Sequence, residues 1–523
     1  MREEKLPVIA EWLIPVLTCF IGLHFTIIGI CHYDLSMIPG DLGDARFNMY
    51  LLEHGYQYIT QQVHYFWGAP FFYPFSPSIA YSDNLLGSMP VYAVFRILSF
   101  DRETSFQLWF ITLCILNFFA TFYVLKKLTN HSILASAGAY IFAFSIFLFC
   151  QFHHAQTFPR FIMPLVIYWI IRYNENYQMK YIWFILSGIA YQFYCGMYLG
   201  IYLLLCSSFI FAILLACNSK VAYQKRFFSK NNLYKIAFGA IIFLLLLMPL
   251  AIEYFKVYSV ANKRDFKETF LTLPIPSSYF FTSKASLTWN ILSNIGIRDN
   301  CPWWDQELFV GIIPWMALIA SIFYFFKKGF IANNKVLFSI VITLLIWIFL
   351  TIRFGDFTLF KWLCKLPGIS SMGTVPRFMN MFLLFFAMIP CLFMNSIIKT
   401  RRTLWFSILL LLVITDNLSQ PSNVNPFNKE DSQNRLNPIV EQLMKANWEG
   451  KKAFAYMPKA GNEFEVQIDA MLASQIVHKP CVNGYSSTSP KGFDSFWRLF
   501  NEKELYYWLD YNKIDHSTII EIH

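Results

Sequence analysis

The sequence predicts a mostly α-helical, polytopic membrane bundle of about eleven transmembrane helices, with external juxtamembrane helices and a small C-terminal α/β domain. Three observations carry that prediction. The 523 residues are 56% hydrophobic and only 14% charged, with a mean hydropathy of +0.43, a balance that belongs to a membrane protein. Apolar stretches bounded by charges or turn residues recur as far as Asp416. The lysines and arginines between them fall in alternate short loops, as the positive-inside rule requires.

In chain order, the first apolar stretch is Ile9 to Ile30. It follows MREEK and precedes no small-residue cleavage site, so it reads as a retained helix rather than a signal peptide. With MREEK in the cytoplasm, residues 31–103 form an external loop. In that loop Leu85 to Phe100 is a juxtamembrane helix that does not cross, so Thr104 to Leu125 is the second crossing and brings Lys126 and Lys127 inside. The later stretches are Ile133–Cys150, Phe158–Ile171, Tyr181–Tyr194, Met197–Ala216, Ile236–Tyr254, Leu308–Phe326, Val336–Ile352, Phe378–Ile398 and Leu404–Thr415. This register places Arg172 with Lys180, then Lys220, Lys225, Arg226 and Lys230, then Lys327, Lys328 and Lys335, and finally Lys399, Arg401 and Arg402 in the cytoplasm. Residues 417–523 are then external. Two external loops, Phe255–Glu307 and Arg353–Arg377, carry several cations, but long loops translocate largely regardless of charge.

The chain divides into a membrane part, 1–416, and a C-terminal part, 417–523, joined by the polar QPSNVNPFNKEDSQNR. In the C-terminal part KKAFAYM predicts a strand, EVQIDAMLASQIV and ELYYWLDY predict helices, and NGYSSTSP predicts a loop. The formal charge of +10 sits in loops that set orientation, so nucleic acid is not a predicted partner. Eleven cysteines lie mostly within apolar stretches without a CxxC pair, which argues against a disulfide framework or a zinc site. The absence of an obvious internal repeat counts against transporter folds built from repeats.

Polar clusters gather on the predicted external face: GDLGDARF with Asp41, Asp44 and Arg46; YSDN with Asp83; QFHHAQTFPRF with His153, His154, Gln156 and Arg160; and later loops with Arg353, Lys365 and Arg377. Polar groups at a membrane edge are costly unless they meet water or one another, so their convergence predicts a site. Asp44 also suits a helix N-cap. Transfer of a sugar from a lipid phosphate needs a carboxylate to take the acceptor's proton and cations to stabilise the leaving phosphate. Asp41 or Asp44 fits the first role. Arg160, Arg353, Lys365 or Arg377 fits the second, with Arg favoured for bidentate phosphate contact. Asp41, Asp44, Asp83, His153 and His154 supply hard and borderline ligand atoms but no metal-ligand spacing of a known type, so no cofactor is assigned and a divalent metal stands as the alternative.

The N-terminal third resembles the GT-C superfamily of polyprenyl-phosphate-sugar-dependent glycosyltransferases, which includes protein mannosyltransferases and aminoarabinose transferases. The family's first external loop carries an acidic motif of the form DEARY or DEAHF. Here GDARF, Gly43 to Phe47, matches it with Asp44 at the second acid and Gly43 in place of the first. PVYAVFRILSFDRETS resembles the family's Pro-led juxtamembrane helix, and LPGISSMGTVPRF and DAMLASQIVHKPCVNGYSSTSP resemble bacterial members, some akin to YfhO-type proteins. The resemblance implies a bacterial inner-membrane enzyme with a periplasmic site. It would invert the anomeric carbon of a polyprenyl-phosphate sugar and pass that sugar to a glycan, lipid or protein acceptor. Two other classes stand beside it: a transporter or flippase of polar lipids, and a non-catalytic membrane assembly protein.

Overall fold

The computed structural model describes residues 7–217, 227–261, 265–294, 305–366, 368–370, 372–421 and 426–523. Lys220, Lys225 and Arg226 of the predicted cytoplasmic loops lie outside the described residues. The membrane part contains α1 (Val8–Leu23), α2 (Asp44–Ile59), α3 (Met89–Ile97), α4 (Arg102–Thr129), α5 (Ser132–Phe144), α6 (Ile162–Asn176) and α7 (Met179–Cys195). It continues with α8 (Met197–Cys217), α9 (Lys230–Val260), α10 (Ile312–Phe325), α11 (Lys335–Thr351), α12 (Met379–Ile397) and α13 (Arg402–Asp416).

Every predicted crossing falls on one of these helices. Among the described residues, six helical stretches are long and apolar enough to cross a membrane by length and composition, and α10 and α11 are shorter apolar helices. At about 1.5 Å per residue, the 14 residues of α10 reach ~21 Å, short of a ~30 Å hydrocarbon core, so flanking residues must complete such a crossing. Helix α3 has nine residues and is far too short to span, in keeping with a juxtamembrane position.

The centre of the bundle is α5, buried along its whole length and packed against α1, α4, α12 and α13. Its sequence SILASAGAYIFAF supplies the small side chains that let neighbouring backbones approach. At Gly138 an added Cβ would lie 2.3 Å from Leu125 Cδ1 and 2.8 Å from the Ala387 carbonyl oxygen. Helix α9 instead exposes Phe238, Ile241, Leu244, Leu245 and Met248, an apolar face suited to lipid. Asp101 starts α4 by accepting the Thr104 N–H at 2.8 Å, and Asn130 ends it in the left-handed conformation.

Lys126 at the end of α4 lies 3.3 Å from Glu11 of α1, and Arg402 of α13 donates to the Thr129 carbonyl at 3.3 Å. One end of the bundle thus collects basic residues. The C-terminal part meets the first apolar stretch at the opposite end, where Ser419 donates to the Phe25 carbonyl at 2.6 Å. Its longer helices are α14 (Asn437–Lys445), α15 (Glu463–Val477) and α16 (Glu502–Tyr511), with Ala453–Tyr456 pairing in parallel with Ile519–Ile522. Met37–Ile38 pairs antiparallel with Phe427–Asn428.

The C-terminal part and the first loop share backbone hydrogen bonds. Tyr73 N–H donates to the Cys481 carbonyl, Cys481 N–H to Pro70 and Phe72 N–H to Asn483, at 3.0, 3.0 and 3.1 Å. Helix α15 packs on α2, and the Arg46–Asp469 ion pair, 2.6 Å, joins them. Glu53 binds Arg96 at 2.8 Å and accepts the Tyr92 hydroxyl at 2.6 Å, which fastens α3 to α2.

Candidate active site

The N-terminus of α2 divides two acids three residues apart. Asp41 Oδ1 accepts the N–H groups of Gly43 and Ala45, both at 3.1 Å, and so satisfies two of the donors that a helix start leaves open. Gly40 makes the preceding turn possible. Its φ is +101°, and a Cβ there would lie 2.4 Å from Ala45 Cβ and 2.8 Å from the Phe152 carbonyl oxygen. The capping role expected as an alternative for Asp44 therefore belongs to Asp41, and Asp44 is free to turn inward.

Asp44 lines a cavity of about 150 Å³ with Asn48, Gln156, Tyr198, Thr374, Arg377 and Tyr485. Phe47, Ser82, Gly373 and Ser487 complete the wall. The volume lies below the ~300–1,000 Å³ of pockets that enclose drug-sized ligands. Asn48 donates to Gln156 Oε1 at 2.9 Å and to the Asp44 carbonyl at 2.7 Å, which ties α2 to the segment after α5.

Asp44 and Arg377 in this wall meet a histidine and a second carboxylate that lie outside the lining. Asp44 Oδ2 lies 3.0 Å from His154 Nδ1, and Asp44 Oδ1 accepts the Tyr485 hydroxyl. Asp305 Oδ1 is 3.4 Å from His154 Nε2 and 3.8 Å from Arg377 Nε. Arg377 Nη2 lies 3.2 Å from each ring nitrogen of His154. Burial alone would raise the Asp44 pKa, but the hydrogen bond and charge of His154, the charge of Arg377 and the Tyr485 hydroxyl together hold it down at about 2. Burial and the Arg377 charge oppose protonation of His154, yet Asp305 and Asp44 raise its pKa overall. Asp305 is held below the ordinary carboxylate range: burial opposes ionisation, and Arg377 and His154 outweigh it.

The other predicted site residues separate into groups. His153 Nδ1 lies 3.4 Å from Asp41 Oδ2, and both side chains are partly exposed. Asp83 Oδ1 accepts the Met197 N–H at 2.6 Å at the start of α8, and burial raises its pKa to about 6. It lies outside the cavity lining, which its neighbour Ser82 joins.

Four of the predicted cations lie outside the cavity lining. Arg46 pairs with Asp469 and not with Asp41 or Asp44. Arg160 is fully buried, donates to Asn380 Oδ1 at 2.9 Å and packs on the rings of Phe142 and Phe158. Arg353 lies over the Phe270 ring, and Lys365 Nζ is 4.5 Å from the centre of the Trp362 ring. Arg377 alone of the proposed phosphate ligands lines the cavity.

Sequence reasoning passed over Asn48, Asp305, Tyr198 and Tyr485. Two short motifs already held part of the signal: GTVPRF contributes Gly373, Thr374 and Arg377, and NGYSSTSP contributes Tyr485 and Ser487. Nothing in the pattern around Asp305 marks it out. Among the described residues, Glu502, Glu521 and His523 form the group whose ligand atoms lie within 4.8 Å of one another, and it is remote in sequence from Asp44.

No protein-family model matches the chain, and no curated protein matches it. Among solved structures, the arabinofuranosyltransferase AftD from Mycobacteria is similar at 12% identity and TM-score 0.49, over 87% of this chain and 30% of that one. ArnT from Cupriavidus metallidurans bound to undecaprenyl phosphate is similar at 8% identity and TM-score 0.46, over 98% and 89%. Apo ArnT gives 9%, 0.42, 99% and 90%. The chain thus spans less than a third of AftD and most of ArnT.

Proposed function

We propose that this chain is an integral membrane glycosyltransferase of the GT-C type, moving a sugar from a polyprenyl-phosphate donor to an acceptor hydroxyl on the external face of a bacterial inner membrane. The observation that carries the reading is the placement of the Asp44 carboxylate and the Arg377 guanidinium in the wall of one small polar cavity, at the end of an apolar bundle opposite its basic loops. A donor with a lipid tail and a charged head requires such a place. The tail stays in hydrocarbon while the head reaches a polar cavity.

In the proposed step, the acceptor hydroxyl binds Asp44 and attacks the anomeric carbon. The bond from that carbon to the phosphate oxygen breaks, its electron pair leaves with the phosphate, and the hydroxyl proton passes to Asp44. Direct displacement inverts the anomeric carbon. A pKa of about 2 makes Asp44 a weak base but keeps it ionised at neutral pH. A weak base suffices when the transition state resembles an oxocarbenium ion, because the attacking hydroxyl turns acidic as its bond to carbon forms. Each carboxylate oxygen has two acceptor sites, so Asp44 can bind His154, Tyr485 and an incoming hydroxyl together. Arg377 takes the charge developing on the phosphate oxygen.

The test is to incubate the purified chain with labelled polyprenyl-phosphate sugars and follow carrier-dependent transfer. Transfer that wild-type protein performs and Asp44→Asn does not is the expected result. Absence of transfer from every such donor would overturn the reading and leave a transporter or an assembly protein.

A further inference from the structure

Tyr485 reaches Asp44 from the far end of the chain, and its support can be traced through successive contacts. The Gly484 N–H donates to Gln467 Oε1 at 3.1 Å, which sets the loop on α15. Helix α15 is tied in turn to α2 by Asp469, which binds Arg46 at 2.6 Å and Arg435 at 2.7 Å. Gln475 adds a second tie by donating to the Tyr50 carbonyl of α2 at 3.0 Å. Asp44 lies two residues before Arg46 on α2, so the carboxylate and the loop that meets it are fixed to the same pair of helices. The Tyr485 ring packs edge-on against Phe47 and Phe464, with centroids 5.4 and 5.8 Å away.

We infer that the C-terminal part completes the active site, and that Tyr485 is a positioning residue whose hydroxyl fixes the rotamer of the Asp44 carboxylate for proton acceptance. The inference rests on the glycosyltransferase reading and adds to it a requirement for the docked C-terminal part. With Oδ1 held by Tyr485 and Oδ2 by His154, the carboxylate has one orientation, and its remaining lone pairs face the cavity. Losing the hydroxyl frees one oxygen, and the acceptor then meets a rotating group.

The experiment uses the full chain, a donor that wild-type protein accepts, and the variants Tyr485→Phe, Asp44→Asn and the pair combined. Phe keeps the ring that packs on Phe47 and Phe464. We expect Tyr485→Phe to lower kcat by about 10- to 100-fold, the weight of one hydrogen bond to a charged group, with donor KM unchanged. The combined variant should be no slower than Asp44→Asn alone, because Tyr485 acts through Asp44. Wild-type kcat in Tyr485→Phe, or losses that multiply in the combined variant, would overturn the inference and leave the glycosyltransferase reading standing. Absence of transfer in wild type, or full transfer in Asp44→Asn, would overturn both. If Tyr485→Phe does not fold, 3,5-difluorotyrosine at 485 preserves shape and makes the hydroxyl more acidic. It must then change kcat at constant KM, and an unchanged kcat rejects the positioning role.

Discussion

Asp44 and Asp41 sit three residues apart and do different work because their oxygens meet different donors. Asp41 faces backbone N–H groups, and Asp44 faces His154 and Tyr485. Asp44→Asn is therefore expected to fold, insert and bind donor while losing nearly all transfer, since a positioned base contributes about 10²- to 10⁴-fold. Asp41→Asn keeps a cap oxygen and should lose less, whereas Asp41→Ala should lower stability by about 0.5–2 kcal/mol. Turnover and thermal unfolding of the three variants check these expectations. Two arginines separate in the same way. Arg377→Met should weaken donor binding by roughly 10- to 100-fold, the equivalent of ~1.5–3 kcal/mol. Arg160→Met should leave donor affinity unchanged and lower the melting temperature, because Arg160 binds Asn380 and packs on two rings away from the cavity. Isothermal titration with a donor analogue distinguishes the two. Arg160 and Arg377 look alike in sequence, each following a proline and preceding a phenylalanine. The difference between them comes from which elements surround each guanidinium.

At the scale of elements, the joint between Asp83 and α8 carries a pH dependence. The folded-state pKa of about 6 lies above the ordinary 3.8. The contribution of this carboxyl is thus fully present below about pH 3.8 and is lost as pH rises through about 6. Asp83→Asn keeps an oxygen for the Met197 N–H and removes the titration. The gap in melting temperature between variant and wild type should widen in the variant's favour from pH 4 to pH 7, and a constant gap would reject the account. The joint between α2 and α15 makes an asymmetric prediction. Arg46 is fully buried with Asp469 as its ion-pair partner, while Asp469 also holds Arg435. Asp469→Asn leaves a buried charge unpaired and should cost about 3–5 kcal/mol, whereas Arg46→Met should cost less. Denaturation of the two variants in one detergent gives the order.

For the whole molecule, the basic loops and the cavity lie at opposite ends of one bundle, so reporters fused at Lys328 and after His523 should signal opposite sides of the membrane. The same side for both would break the link between the cavity and the external face. The membrane helices, the non-crossing nature of α3, the strand at Ala453–Tyr456 and helices α15 and α16 were legible in the sequence, because hydrophobic run length and periodicity are local properties that solvent or lipid imposes on each segment. Helix α14 was not, and the stretch read as a linker holds the Phe427–Asn428 strand and a short helix, Lys429–Asn434. The sequence also singled out Asp44, Gln156 and Arg377, which the fold sets in one cavity wall, and His154, which it sets against Asp44, because polar residues at a membrane edge are costly unless they meet water or one another. What only the tertiary structure decided is which polar groups meet. It assigned the cap to Asp41, paired Arg46 with Asp469, buried Arg160 beside Asn380, set Asp305 against His154 and Arg377, and brought Tyr485 to the cavity. Contacts such as Asp44 with Tyr485 join residues hundreds of positions apart, and their geometry depends on how α2, α12 and α15 pack together, which no local window of sequence records.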